Sequence, residues 1–446
     1  MSHNRVLIDP SEGKLKVARK VLKLAFPIIL SNLLYTVESA FSVILVSGLS
    51  ASAVAAVGYS ASMLWFIYSL MALAYTGTSV LVAQRVGAGK DPSPALLWGI
   101  ILSFLIALPL TFWGKDLVSY LMLTFGASQN VASLAREYLE PVFLFITIGF
   151  ITNAIYAGYN GYGDTKTPFK VALLMNVVNI GSAYLLIYGK FGFPRLEVAG
   201  AGWGIALSEV VGLMFYIYLY AKHRKPFPIK LSLRKDILLQ MLRIGTPTAI
   251  ERGFTSLSFN IFVGLVAQFG DKALAAHQIG LRVESLSFMI GFGMMIASTT
   301  LAGQNYGAKN FKGLDYGVRV SAHTTALIMG LIGLVIALFP QYFSLIFTRD
   351  KEVISYAVYY LVIVALSQPQ MAYASIFSGS LKGMGKTHIP LVVNLSSFWL
   401  FRIVPSMIFL KSLPSPIVPW VFMSIETTLR AIIFYWAYKR EIRKNL

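Results

Sequence analysis

A helix needs about 20 apolar residues to cross the hydrocarbon layer of a membrane, and this 446-residue chain is built from such stretches along nearly its whole length. Inside that layer no water satisfies backbone N–H and C=O groups, so a spanning segment must satisfy its own, as a helix does. Hydropathy places the stretches at about 24–47, 55–82, 95–113, 138–160, 169–189, 200–220, 245–269, 277–301, 321–340, 354–378, 390–410 and 417–437. Charged residues make up 13% of the chain, against about a quarter in a soluble domain. The connections are short and polar, leaving no room for a soluble domain. The expected fold is an all-α integral membrane protein with twelve transmembrane helices.

The first stretch follows a basic segment and is longer than the roughly 7–15 residues of a signal-peptide core, so it reads as a retained helix. The excess of 38 Lys+Arg over 19 Asp+Glu is scattered over short loops instead of lining one face, which argues against a nucleic-acid partner and for contact with anionic lipid. An even helix count returns both ends to one side. Of 34 extramembrane basic residues, 26 then fall on that side, so the positive-inside rule puts both termini in the cytoplasm of a protein of the cell (inner) membrane. The absence of cysteine excludes disulfides and thiolate metal sites.

The chain also repeats itself. With Pro27 set on Pro247, Ala55-Ala56 falls on Ala275-Ala276 and Gln84-Arg-Val-Gly87-Ala88 on Gln304-Asn-Tyr-Gly307-Ala308. Further on, Gly161-Tyr-Gly163…Pro168 pairs with Gly383-Met-Gly385…Pro390, and Trp203 with Glu209 pairs with Trp420 and Glu426. Six helices per copy give both copies the same orientation, hence a pseudo-two-fold axis along the membrane normal. The expected organisation is an N-lobe over 1–220, a linker over 221–243 rich in Lys, Arg and Pro, and a C-lobe over 244–446.

Those residues, with Ala275-Ala-His-Gln278, Arg282-Val-Glu284 and Phe401-Arg402-Ile403-Val404-Pro405, resemble the MATE (multidrug and toxic compound extrusion) family over essentially the whole chain. The resemblance implies a transporter and not an enzyme: a secondary antiporter exporting amphipathic, cationic organic compounds in exchange for H+ or Na+, without cofactor and as a monomer. The alternative within the wider superfamily is a flippase for a lipid-linked saccharide. Three family acids have no counterpart, their slots holding Ser42, Ala183 and Thr255.

An ionisable group inside a span is costly and marks a functional candidate. Glu38 and Glu209 lie in the N-lobe, where no span supplies a cation; Glu251, Glu284 and Glu426 lie in the C-lobe with Arg252, Arg282, Arg402 and Arg430. Glu38 belongs to a polar stripe with Ser31, Tyr35 and Ser42 on one helical face. It is the leading candidate for ion coupling, ahead of Glu251, which shares a face with Thr255 and Ser258, and Glu209. Asn153, Asn176 and Asn179 can hydrogen-bond a carboxyl in either protonation state, or only join helices. Arg282, Glu284, Arg402, Glu426 and Arg430 are expected as structural ion pairs, Arg430 lying at i+4 from Glu426. Pro27 and Pro247 are expected hinges, since each removes a helix hydrogen bond. Gly383-Met-Gly385-Lys386-Thr387 only imitates a phosphate loop, because Ser380 stands where the first glycine is required.

Overall fold

The computed structural model describes residues 5–446, and among them every regular element is a helix. In chain order these are α1 (Lys14–Ser47), α2 (Ala51–Ile67), α3 (Met71–Gly87), α4 (Ser93–Thr124), α5 (Gln129–Leu144), α6 (Ile146–Tyr162), α7 (Lys166–Tyr188), α8 (Val198–His223) and α9 (Lys235–Ala267). There follow α10 (Asp271–Gly307), α11 (Phe311–Leu338), the short α12 (Pro340–Leu345), α13 (Lys351–Leu366), α14 (Gln368–Gly383), α15 (His388–Phe398), a π-helical turn (Trp399–Ile403), α16 (Val404–Phe409) and α17 (Ile417–Arg443).

Three crossings expected as single helices are broken. α2 and α3 meet at 48°, α5 and α6 at 54°, and α13 and α14 at 52°. Pro369 contributes to the last, because it has no N–H to bond the Ala365 carbonyl one turn back, so the helix restarts at Gln368. With each bent pair as one span, eleven spans are apolar enough to cross a membrane. The twelfth is α9, whose Glu251, Arg252, Thr255, Ser256, Ser258 and Asn260 dilute an otherwise apolar helix. Most helices also outrun the stretches expected from hydropathy, since the backbone goes on bonding to itself after side chains turn polar: α4 continues to Thr124 and α10 begins at Asp271.

The chain divides into two compact units. One comprises Leu30–Val82 and Lys90–Ala249; the other takes the segment ending at Ile29, Ala83–Gly89 and Ile250–Leu446. This differs from a division at the 221–243 linker, because α1 and α9 each begin in one unit and end in the other. Both changes of membership come just after the helix's proline, Pro27 or Pro247.

In the first unit, Val57, Ala107, Leu139, Phe143 and Phe150 form the buried core. Small residues let its helices approach closely, as in other membrane bundles. On α8, Gly200, Gly204 and Gly212 recur at helical spacing, and a Cβ at them would collide with Leu186 and Ile187, with Asn179 and Ala183, and with Met175 of α7.

The second unit has its cores around Phe377, Tyr438 and Leu301 and around Phe262, Tyr360 and Trp420. Residues 6–12 form a strap docked on it: Val6 N–H donates to Gln304 Oε1 (2.6 Å), Ile8 N–H to Asn305 Oδ1 (3.0 Å), and Tyr316 OH to the Glu12 carbonyl (2.8 Å). Asn305 and Asn310 return bonds to the carbonyls of Val6 and Ile8, and Ile8 is buried. In the same unit the ends of α3 and α10 cross through the two repeated turns. A Cβ on Gly87 would lie 1.9 Å from the Gln304 carbonyl oxygen, and one on Gly307 equally close to that of Gln84.

Only α8 separates Lys190 from Lys230. Topology reporters inserted at these two positions should therefore give opposite signals, and matching signals would refute the count of spans.

Candidate functional site

The carboxylates of the first unit stand apart from those of the second. Glu38, in the C-terminal half of α1 beyond Pro27, accepts a hydrogen bond from Asn179 Nδ2 of α7. Asn179 is buried and is set in place by Gly204 of α8, whose missing side chain leaves room for Asn179 Oδ1. The neighbourhood of α1 is tied down again where Tyr188 OH donates to the Leu45 carbonyl.

Glu209, on α8, lies beside Gly149 of α6, where a Cβ would be 3.3 Å from its carboxyl carbon. Glu38 lies within electrostatic range of Glu209, and both lie within range of Tyr35 and Tyr68. Glu38 also lies within range of Tyr138. Tyr68 sits at the break between α2 and α3. Neither carboxylate is among those that form ion pairs with Lys or Arg in the described residues. The site is thus two half-buried acids, one of them held by an amide, with Tyr35, Tyr68 and Tyr138 in the same neighbourhood. It can hold a proton or a cation.

The remaining N-lobe residues are more loosely connected. Ser42 donates to the Glu38 backbone carbonyl (3.1 Å) and so serves its own helix. Asn176 donates to the Ala172 carbonyl (3.1 Å), leaving its Oδ1 buried without a protein partner. Asn153 is half-buried on α6. Asn160 donates to Tyr75 OH (3.2 Å), which stacks on Tyr156.

In the second unit acids meet cations. Glu426 accepts a hydrogen bond from Arg402 Nη2 at 2.5 Å, and Arg430 Nε lies 3.3 Å away in an ion pair without hydrogen-bond geometry. Arg402 sits in the π-helical turn: Pro405 lacks the N–H that would bond the Phe401 carbonyl, and the ladder widens there. The resulting position lays its guanidinium over Phe398, 4.3 Å from the ring centroid. Glu284 is held instead by Tyr360 OH at 2.8 Å. Tyr360 packs edge-on against Trp420, whose indole N–H donates to His277 Nδ1 (3.0 Å).

Two expectations are corrected here. Arg282 is not part of this network, because its side chain points outward and makes no ion pair among the described residues. Glu251 is paired with a lysine, which the expectation of arginine partners left out. Its partner is Lys382 Nζ at 3.1 Å, with Asn394 Nδ2 donating at 2.5 Å. Lys382 reads in sequence as a loop cation, yet it is buried near the end of α14. Thr255 remains half-buried on the face of α9 that carries Glu251.

The repeat sharpens the contrast. The 220-residue offset that sets Pro27 on Pro247 carries Glu38 onto Ser258, and Ser258 Oγ is capped by Trp399 Nε1 at 2.9 Å. The 222-residue offset that sets Gly161 on Gly383 carries Asn160 onto Lys382 and Tyr138 onto Tyr360. Where the first unit has an acid held by an amide, its counterpart has a hydroxyl closed by an indole. Tyr68, Tyr138, Lys382 and Asn394 were missed by reading charges within spans. Aligning tyrosines across the repeat would have pointed to Tyr138.

A family model described as MatE matches residues 27–185 and 247–408. A probable multidrug resistance protein NorM of Thermotoga maritima is 31% identical, over 98% of this chain and 96% of the relative. A multidrug resistance protein MdtK of Yersinia enterocolitica is 27% identical, over 93% and 94%. A MATE crystal structure in complex with MaD5 superposes with a TM-score of 0.87 at 22% identity, covering 96% of this chain and 97% of that one. A MOP superfamily transporter from Pyrococcus furiosus, described as having a binding pocket of reverse polarity, gives the same score and identity over 96% of each chain.

Removing one member of a buried ion pair leaves an uncompensated charge, at a cost of about 3–5 kcal/mol. Arg402→Met should therefore lower the unfolding temperature sharply, and Arg402→Met with Glu426→Gln should recover much of the loss. Arg430→Met should be milder than Arg402→Met, because Arg402 still holds Glu426. Equal damage from all three in a thermal-stability assay would contradict this division of labour.

Proposed function

The chain belongs to the MatE family, and from that premise we propose that it is a secondary active antiporter exporting amphipathic organic cations in exchange for protons or sodium ions. Its relatives' names, multidrug resistance proteins, support the export of varied small organic compounds. The orientation proposed is both termini in the cytoplasm of the inner membrane, on the distribution of basic residues.

The observation that carries the coupling mechanism is the uncompensated acidic pair Glu38 and Glu209. A carboxylate in a low-dielectric site without a counter-cation is stabilised by taking up a proton or binding a cation. When the site opens to one side, water hydrates the polar stripe and the proton leaves. The carboxylate can then pair with a cationic substrate, so proton and substrate compete for one negative charge. Alternating access, by rocking one bundle against the other around the site, converts that competition into exchange.

Asn179 keeps Glu38 oriented in both states, since an amide both donates and accepts. The C-lobe acids are occupied by Arg402, Arg430, Lys382 and Tyr360, which suits a framework more than a carrier.

The test is counterflow of a fluorescent organic cation in proteoliposomes, driven by a pH gradient and separately by a sodium gradient. Glu38→Gln keeps size and hydrogen bonding but cannot titrate. It should fold normally and reduce driven export to the level of protein-free liposomes, whereas Glu38→Asp retains part of it. Transport by well-folded Glu38→Gln at the wild-type rate would overturn the assignment.

A further inference from the structure

The last turns of α17 carry a charge cluster that the transport cycle does not use. Trp436, Lys439, Arg440, Arg443 and Lys444 line a shallow groove of about 310 Å³. Four cations there face one carboxylate, Glu441, which is already taken by Lys444 at 2.5 Å and approached by Lys386 at 4.0 Å. Lys439 lies over the Tyr435 ring, 5.9 Å from its centroid. Arg440 and Arg443 are exposed and make no ion pair among the described residues. Two guanidinium groups one turn apart present a fork of donors suited to the oxygens of a phosphate.

The groove continues an apolar track. Val421, Ile425, Ile432 and Trp436 are exposed along one face of α17 at helical spacing, and Trp436 is the most open of them at 63%. Along one helix the face therefore passes from aliphatic, to an indole, to guanidinium groups. That order matches the passage from acyl chain through interface to headgroup, where tryptophan is the favoured boundary residue.

We propose that this groove is a binding site for the phosphate-bearing headgroup of an anionic phospholipid, held by Arg440 and Arg443 with Lys439, while an acyl chain lies along the Val421–Trp436 face. A soluble phosphate would satisfy the cations but leave the apolar track unused. A zwitterionic lipid would cover the track but carry its own cation into a cationic groove. The proposal is independent of the coupling role of Glu38.

The experiment titrates the purified full chain in detergent with phosphatidylglycerol, with phosphatidylcholine of the same acyl chains, and with inorganic phosphate, following thermal stability and lipid retention by native mass spectrometry. Phosphatidylglycerol should be retained and raise the unfolding temperature; the other two should do neither. Each basic contact near an anionic lipid contributes a several-fold gain in affinity, so Arg440→Gln with Arg443→Gln should weaken phosphatidylglycerol binding on the order of thirtyfold. Trp436→Ala should weaken it as well. Lys166→Gln with Lys170→Gln, an equal loss of charge elsewhere, should leave it unchanged. The single change Arg443→Gln serves if the double variant elutes as an aggregate. Undiminished phosphatidylglycerol binding in the arginine variants, an equal loss in the Lys166/Lys170 variant, or equal stabilisation by inorganic phosphate would each overturn the assignment.

Discussion

A carboxylate carried into a low-dielectric interior needs a compensating charge, a proton or a dense set of hydrogen bonds. The two units meet this requirement in different ways. In the second, Glu426 is held by two guanidinium groups, Glu251 by an ammonium and an amide, and Glu284 by a phenol. In the first, Glu38 has the amide of Asn179, and neither Glu38 nor Glu209 forms an ion pair among the described residues. An ion pair is satisfied permanently, so it resists change. An acid without a cation must be satisfied by whatever arrives, and so its state depends on the solution outside. Two pieces of local architecture serve this requirement: the small-residue packing of α8 that seats Asn179, and the bulge that turns Arg402 toward Glu426.

The helices and the repeat were legible because each is written in many residues at once. Twenty apolar side chains announce a span even if several are misread, and a tandem copy preserves its glycines and prolines in order. The breaks within spans were not legible. The α2–α3 bend at Tyr68–Leu70 contains neither proline nor glycine, and hydropathy averages over it. Pro369 could have signalled the α13–α14 break, yet an intramembrane proline is also compatible with a continuous helix, as Pro109 shows in α4.

The site was legible in its acids and less so in their partners. Glu38 and Asn179 are 141 residues apart, so only the fold brings them together. Arg282 was misplaced because position within a span does not say which way a side chain points: Glu284, two residues on, meets Tyr360, while Arg282 faces outward. Lys382 was misplaced because the Gly383-Met384-Gly385 turn beside it looks like a loop, whereas α14 runs on through Lys382 and buries it against Glu251.

The strap on the second unit has a consequence for biosynthesis. Ile8 and its partner Asn305 are 297 residues apart. At about 5–20 residues per second, the strap leaves the ribosome roughly 15–60 s before the residues that receive it. For that interval Val6 and Ile8 have no Gln304 or Asn305 to bond to, and α1 enters the membrane with its leading segment undocked. Strap closure therefore comes after synthesis of α10, and it can report that the second half of the molecule has been added to the first.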